Sequence, residues 1–422
     1  MSQKLEAFKA LSAKDKKNAV VNWMLDHAMI IIIVLLAFYV QLMKPAFFSV
    51  PSLVNIVSLT AARLPMALGV AGCIVLAGTD LSGGRIAGMT AYIAAILLQK
   101  VGANGKILEN VGPQPLILVI VLVMIVGALV GMINGYCMGK FKLHPFIVTL
   151  ATQMMTYGAY LTISNSKQVS SLDASYTTSF VTRPLFKIGP TSVMTYVLLA
   201  AILTAIMWVV WNKTTFGKNM FAVGSNEEAA RVSGVNVLAT IVGTFMIAGA
   251  LYGYTGFVEA ARLGASTATL GLNYESDAIA AVVIGGVSFV GGTGKISGVI
   301  LGVFMMQLIM SGMTFLGISG NVTYIIKGAV ILFACILDMR KYRTKTYSFA
   351  FPGPLRIVAA GLFHHEKESV PWRIPKRRSP YKLRKSLRMS SRRKRPTGSR
   401  ICTTRWMCRS RCSTRLWSSW VR

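Results

Sequence analysis

Long apolar segments recur along the first 339 residues and are separated by short polar connections. A lipid bilayer satisfies no backbone hydrogen bonds, and these segments do not alternate apolar and polar residues as barrel strands do, so helices are expected. The pattern predicts an all-α polytopic membrane domain of about ten transmembrane helices over residues 28–340. The segments are Ala28–Gln41, Leu53–Ala77, Ile86–Val101, Leu116–Met138, Pro145–Ile163, Ser192–Trp211, Val237–Val258, Ala278–Val290, Ile296–Thr314 and Val322–Leu337.

Residues 1–27 form a lysine-rich polar leader before the first apolar segment. The leader is too long for the basic region of a signal peptide, and no small-x-small cleavage site follows, so we expect an uncleaved cytoplasmic N-terminal segment. With this end inside, the predicted cytoplasmic segments hold 12 Lys and Arg and the external ones hold 7. Basic residues are enriched on the cytoplasmic side of membrane proteins, which supports this orientation.

Two glycine patterns five segments apart suggest internal symmetry. The third and eighth segments are also both short for a bilayer of about 30 Å, which needs roughly 20 helical residues. These features are typical of an inverted five-plus-five repeat around a transport path, but glycines also simply permit close helix packing, and the sequence favours neither interpretation. The two GxxxGxxxG patterns are Gly127, Gly131, Gly135 and Gly294, Gly298, Gly302.

The composition excludes an ordinary soluble domain. Only 14% of the residues are charged and 54% are hydrophobic, although 45 Lys and Arg against 14 Asp and Glu give a net charge of +31. Soluble domains have about 25% charged residues. Residues 340–422 carry 24 of the basic residues and 2 of the acidic ones. Most of the positive charge therefore belongs to the C-terminal tail, and nucleic acid is not an expected partner of the membrane domain.

A polar, glycine-rich stretch, Gly78–Arg85, lies between two apolar segments. An ionised side chain at membrane depth costs at least about 2.5 kcal/mol. Asp80 and Arg85 could pair, or line a hydrated cavity together with Ser82. The alternative is a tight cytoplasmic turn in which Asp80 caps the next helix, and spacing alone favours the turn. Arg63, near Pro65, could mark a functional kink, although a structural Arg satisfied by carbonyls or snorkelling to an interface is favoured.

The connection 212–236 contains a helix signal. Ser225 and Glu228 fit a capping box, which predicts a short helix that passes through Val232 and stops at Gly234. Such a short helix is marginal unless it docks on something. The segment is either a contact element for a cytoplasmic subunit or a loop that rests on the inner face of the membrane domain.

The segment Gly291–Lys295 resembles a phosphate-binding loop but fails the pattern, because Phe289 and Ile296 replace a glycine and a hydroxyl residue. With four histidines and no HExxH or CxxC pattern, the sequence offers no strong metal site. We therefore expect no cofactor and no enzymatic activity in this chain.

Several motifs resemble the membrane-spanning permeases of bacterial ABC importers for simple sugars, most closely those for galactose and methyl-galactosides. The resemblance covers about residues 50–340. It rests on Leu68-Gly69-Val70, Gly78–Ser82, Pro145–Leu150, Trp211–Thr214, Phe216–Asn219, Gly224-x-Asn226, Glu228–Asn236, Asp277–Ala281 and Gly285–Phe289.

The resemblance implies a multi-pass permease of the bacterial inner membrane that works by alternating access. Its implied partners are a cytoplasmic ATP-binding subunit, a periplasmic sugar-binding protein and a second permease copy. An ion-coupled secondary sugar transporter is the alternative. Asp80, Ser82, Arg85 and Asp277 are the candidate translocation-path residues. The implied ATPase-coupling residues are Gly224, Asn226, Glu228, Ala229, Ala230, Ser233 and Gly234.

The tail, residues 341–422, falls outside the resemblance. From Pro371 to Arg422 it has 18 Lys and Arg and no acidic residue, with four of the seven Trp and three of the six Cys. It could be a disordered arm that binds anionic membrane lipid, a nucleic-acid-binding arm, or an out-of-frame translation product. The absence of acids and of hydrophobic periodicity favours the last. Truncation after Tyr342 is expected to leave sugar uptake unchanged.

Overall fold

A computed structural model of the protein describes residue 24 and residues 28–103, 106–109 and 111–345. The predicted N-terminal segment 1–27, apart from residue 24, and the tail beyond residue 345 lie outside the described residues. The helices are α1 (Ala28–Met43), α2 (Val50–Val75), α3 (Gly83–Leu97), α4 (Leu116–Phe141), α5 (Pro145–Ser164), α6 (Thr195–Lys213), α7 (Thr215–Ser225), α8 (Glu227–Val232), α9 (Val237–Leu263), α10 (Tyr274–Ile284), α11 (Ile296–Phe315) and α12 (Gly320–Lys345). A π-helical turn, Thr177–Val181, precedes an antiparallel hairpin of β1 (Pro184–Ile188) and β2 (Thr191–Met194).

Each predicted apolar segment coincides with a helix, α1 to α6 or α9 to α12. Seven helices in the described part of the chain, α2, α4, α5, α6, α9, α11 and α12, are long and apolar enough to cross a membrane. The other three helices that coincide with predicted segments are short, with 16 residues in α1, 15 in α3 and 11 in α10. The prediction of a helical polytopic membrane protein is confirmed, and the number of ten spans stays a prediction.

The chain that leads into α3 turns back into the membrane domain. After α2 ends at Val75, the Thr79 carbonyl accepts from Thr149 Oγ1 at 3.3 Å, and Ser82 Oγ accepts from Asn134. Asn134 lies seven residues before the end of α4. At 1.5 Å per residue, Ser82 is therefore about 10 Å from that helix end. The start of α3 therefore lies alongside α4 and not level with its end.

The segment that leads into α10 follows a similar course from the other side. Residues 264–273 run back along α3, so that Gly88 packs against the Leu270 carbonyl and Gly84 against Gly271. The short helix α10 then begins beside Gly84 and ends where Gly285 packs against Gly298, in the first turn of α11. Two short helices that start close together and run in opposite directions are typical of inverted repeats. The repeat itself stays a prediction.

Both GxxxGxxxG patterns mediate close helix packing. A Cβ at Gly127 would overlap the Gly249 carbonyl on α9, and one at Gly131 would overlap the Phe245 carbonyl. On α11, Gly302 packs in the same way against the Ala281 carbonyl of α10. Small residues let membrane helices approach this closely, so packing alone accounts for the glycine spacing.

Candidate functional site

The Asp80 carboxylate is fully buried in the chain before α3. Its Oδ1 accepts from the Ser82 amide at 2.9 Å and from Ser82 Oγ at 2.6 Å. The predicted turn therefore exists, with Asp80 bonded to the N-cap residue of α3. The carboxylate is enclosed by the protein, and the cytoplasmic position of the turn stays a prediction. A buried carboxylate is tolerated here because protein donors replace part of its hydration.

A chain of buried polar groups extends from Ser82 to two further helices. Asn134 Nδ2 donates to Ser82 Oγ at 3.0 Å, and Asn134 Oδ1 accepts from Thr152 Oγ1 at 2.6 Å. All three side chains are buried. The network therefore fixes the start of α3 against α4 and α5. The sequence analysis missed Asn134, although a single Asn in the strongly apolar α4 was a usable signal.

Arg85 does not pair with Asp80. Its Nη1 donates to Tyr160 Oη at 3.0 Å and to the Ala268 carbonyl at 3.4 Å. Its guanidinium carbon also lies 4.1 Å from the ring centroid of Tyr157, within cation–π range. Arg85 thus joins α3 to α5 and to the segment before α10. The hypothesis of an Asp80–Arg85 pair is wrong, because the helical turn carries Arg85 away from Asp80 and toward α5.

Asp277 forms an ion pair in the first turn of α10. Its Oδ2 lies 2.9 Å from Lys327 Nζ of α12, and the two side chains are 22% and 14% exposed. The pair joins the short helix to the last described helix. Asp277 was a predicted path residue, whereas its partner Lys327 lies within the predicted segment Val322–Leu337.

Arg63 belongs to a second ion cluster. Its Nε lies 3.1 Å from Glu259 Oε1, and Arg262 Nη2 lies 2.9 Å from Glu259 Oε2. The Arg63 guanidinium also stacks 3.4 Å from the ring centroid of Tyr274. Because the Glu259 side chain is fully buried, it needs both cations. Arg63 is therefore held by an ion pair and a stacked ring, not by carbonyls or by snorkelling to an interface.

The predicted cytoplasmic helix exists as α8, but its cap differs from the prediction. Asn226 is the N-cap, and its Oδ1 accepts from the Ala229 amide at 2.9 Å. Ser225 ends α7 instead, where its Oγ donates to the Phe221 carbonyl at 2.8 Å. The predicted Ser225–Glu228 capping box is wrong: the N-cap lies one residue later, and the N3 residue is then Ala229, which has no side-chain acceptor. The predicted stop is correct, since Gly234 has a φ of +83° just after the helix.

The predicted coupling residues divide into an exposed and a buried set. Gly224 packs against the Val75 carbonyl at the end of α2, and Ala230 is buried beside Val223 and Val237. Val232, which was not among the predicted residues, is 88% exposed. The buried set holds α7 and α8 on the inner end of the membrane domain. The exposed members are Asn226, Glu228, Ala229, Ser233 and Gly234.

A cleft of about 380 Å³ separates this element from the inner ends of α4 and α5. Across it, Lys142 Nζ lies 3.9 Å from Glu228 Oε1, and both side chains are mostly exposed. Surface pairs of this kind contribute at most about 1 kcal/mol. Lys142 and Glu228 therefore remain available to another protein.

The glycine-rich segment after α10 is structural in this arrangement. The Gly292 amide donates to the Val75 carbonyl at 2.8 Å, and Gly291 and Gly292 have φ values of +88° and +67°. Across the described residues, no group of three or more His, Cys, Asp or Glu side chains could hold a metal ion.

Comparisons with known proteins agree on one family. Residues 52–335 match the family described as "Branched-chain amino acid transport system / permease component". The galactose/methyl galactoside import permease protein MglC of Escherichia coli strain K12 is 41% identical over 341 residues, which cover 79% of this chain and 100% of that protein. The ribose import permease protein RbsC of the same strain is 31% identical over 323 residues, with 76% and 95% covered. No solved structure matches.

The seven long apolar helices and the family match define a multi-pass membrane permease. The chain belongs to the sugar permease family of ABC importers, as the resemblance predicted. The match ends near residue 335, within α12.

Proposed function

We propose that this chain moves galactose or a methyl-galactoside across the bacterial inner membrane as the permease subunit of an ATP-driven importer. The observation that carries the proposal is the 41% identity to the galactose/methyl galactoside permease over all of that protein's length. The identity to the ribose permease is lower, at 31%, which favours a galactose-type sugar.

ATP hydrolysis belongs to a separate cytoplasmic subunit in this proposal. The exposed face of α8 is its contact site, because Glu228, Val232 and Ser233 lie outward while Ala230 anchors the helix. A helix of 6 residues is marginal in isolation, so α8 gains stability from docking, on the membrane domain through Ala230 and on a protein partner through its exposed face. A periplasmic sugar-binding protein delivers the substrate, and a second copy of the chain completes the importer.

The translocation path in this proposal passes the junction of α3 and α10. Asp80, Ser82, Arg85 and Asp277 all lie in or near the first turns of these two helices. Transporters often bind substrate where discontinuous helices meet within the membrane. Asp80 Oδ1 accepts from Ser82 Oγ, so these two residues hold the junction, whereas Arg85 and Asp277 are partly exposed.

Sugar uptake in cells that lack only this chain tests the proposal. We expect loss of labelled galactose uptake, restored by the wild-type chain. We also expect the restored galactose uptake to require an intact ATP-binding subunit. Uptake that persists without that subunit, driven by an ion gradient, would instead support a secondary transporter.

A further inference from the structure

A groove lined only by apolar side chains lies between α1, α11 and α12. It has room for about 410 Å³, many times the share of one water molecule, which is about 30 Å³. Ile33 of α1 and Ile309 of α11 are buried at its floor, while Phe333 of α12 is 41% exposed at its rim. Apolar cavities do not hold water, because they offer it no hydrogen bonds. The groove therefore calls for an apolar occupant.

The groove runs along α12 toward the end of the membrane domain that carries α8. Ser288 Oγ donates to Asp338 Oδ2 at 3.1 Å, which places the end of α12 beside the segment that leads into α11. In that same segment Gly292 packs against Ser225, the last residue of α7. Along α12 the lining covers the range Ile326–Phe333, a length of about 10 Å. One end of the groove thus faces the same side of the chain as α8.

A cluster of basic residues follows the apolar part of α12, which ends at Met339. The cluster lies in the last turns of the helix and consists of Arg340, Lys341, Arg343 and Lys345. Asp338, just before it, is buried and accepts from Ser288 Oγ and from the Phe289 amide, so this acid is already used within the protein. Four or more basic residues directly beside a membrane span attract anionic lipid headgroups.

The spacing between the groove and the basic cluster fits one phospholipid molecule. Arg340 lies seven residues beyond Phe333 and fourteen beyond Ile326, so the groove extends from about 10 Å to about 21 Å from the cluster. Half of the hydrocarbon core is about 15 Å thick, and the headgroup layer adds about 5–8 Å. An acyl chain whose headgroup lies at the cluster therefore reaches along the whole groove.

We propose that the groove binds one acyl chain of an anionic phospholipid from the leaflet at the α8 end, with the phosphate at the basic cluster. The lipid packs against α12, which buries only 11% of its apolar window, the smallest share among the seven long apolar helices of the described residues. A second copy of the chain fits less well, because it would bring an identical positive cluster to the same place. The inference does not depend on which sugar crosses the chain.

The first test fills the groove with a side chain. Ala329→Phe adds a ring at an exposed lining residue, and Leu332→Phe, at an exposed residue of α12 outside the lining, is the control. Phosphatidylglycerol is added to the purified full-length chain in detergent, and bound lipid is counted by native mass spectrometry. We expect Ala329→Phe to bind one lipid about tenfold more weakly, because the ring takes the space of the acyl chain. Equal binding by Ala329→Phe, Leu332→Phe and the wild type would overturn the proposal.

The second test concerns the headgroup and leaves the groove intact. One variant combines three changes in the basic cluster, Arg340→Gln, Lys341→Gln and Arg343→Gln. The control combines three changes in the tail, Lys376→Gln, Arg377→Gln and Arg378→Gln. We expect the wild type and the tail control to prefer phosphatidylglycerol over phosphatidylcholine with the same acyl chains by about tenfold, and the cluster variant to lose this preference. A wild type without preference, or an equal loss in both variants, would contradict the assignment of the phosphate to α12.

The same spectra distinguish a lipid from a protein occupant, because they also give the mass of the assembled chain. If Ala329→Phe turns a dimer into a monomer while lipid binding stays unchanged, a second copy fills the groove and the proposal is wrong. If removal of residues 2–23 increases lipid binding, the N-terminal segment fills the groove in the full chain, and the proposal is also wrong. Weaker lipid binding by Ala329→Phe in an unchanged oligomer supports the lipid.

Discussion

Asn134 Nδ2 lies 3.0 Å from Ser82 Oγ, so a side chain of α4 holds the residue at which α3 begins. The same amide accepts from Thr152 Oγ1 of α5 at 2.6 Å. One residue thus joins three helices around the start of a short helix inside the membrane. This relationship explains how a polar stretch flanked by apolar segments is stabilised at that depth.

Replacing Asn134 with Leu should destabilise the chain. Ser82 and Thr152 would each lose a partner in a buried setting, and each unsatisfied group costs about 1–3 kcal/mol. Thermal unfolding in detergent checks the expectation. Met132→Leu is the matched control, since Met132 is an exposed residue of the same helix. Equal stability of the two variants would show that the network does not support α3.

Replacing a glycine with alanine should destabilise the chain where the glycine is packed against another helix, but not where it faces open space. Gly131→Ala places a Cβ against the Phe245 carbonyl of α9, whereas Gly158→Ala meets nothing within 4 Å. Overpacking costs about 1–3 kcal/mol, so only Gly131→Ala should lower the unfolding temperature. A loss of stability in Gly158→Ala as large as that in Gly131→Ala would contradict the contact between α4 and α9.

Neutralising Glu259 should be more damaging than neutralising Asp277. Glu259→Gln leaves Arg63 and Arg262 without their buried counter-ion, and breaking a buried pair costs about 3–5 kcal/mol. Asp277→Asn removes one partner of a pair that is partly exposed. The amount of folded chain in purified membranes and its thermal stability measure the difference. A larger loss of stability in Asp277→Asn than in Glu259→Gln would refute the role assigned to Glu259.

A charge on the exposed face of α8 should weaken assembly without unfolding the chain. Val232 is 88% exposed, so Val232→Asp alters no internal packing. We expect less ATP-binding subunit to co-purify and galactose uptake to fall. Val101→Asp, in the connection that follows α3, is the control, because Val101 is 73% exposed. If the ATP-binding subunit co-purifies normally with the Val232→Asp chain, then α8 is not part of the interface.

Truncation after Lys345 should leave uptake unchanged, because it keeps α12 whole. The family match ends at residue 335, and the galactose permease of Escherichia coli is fully covered by 79% of this chain. We therefore propose that the tail is dispensable for transport. Uptake by full-length and truncated chains, normalised to the amount in the membrane, provides the measurement. A loss of uptake in the truncated chain would show that the tail contributes.

Much of the helical architecture follows from the long apolar segments, because segments of this length have few alternatives to a helix in a bilayer. The α8 helix could also be predicted from the sequence, since capping residues and a terminal glycine act locally. The partners of Arg85 and Arg63 could not be predicted. Tyr160 and Glu259 are distant from them in sequence and reach them only through helix packing.

The most direct test reconstitutes the chain in proteoliposomes with its ATP-binding subunit, ATP inside, and the sugar-binding protein outside. The proposed function predicts accumulation of labelled galactose that requires ATP hydrolysis and is abolished without the ATP-binding subunit. Accumulation that proceeds without ATP and follows a sodium or proton gradient would contradict it.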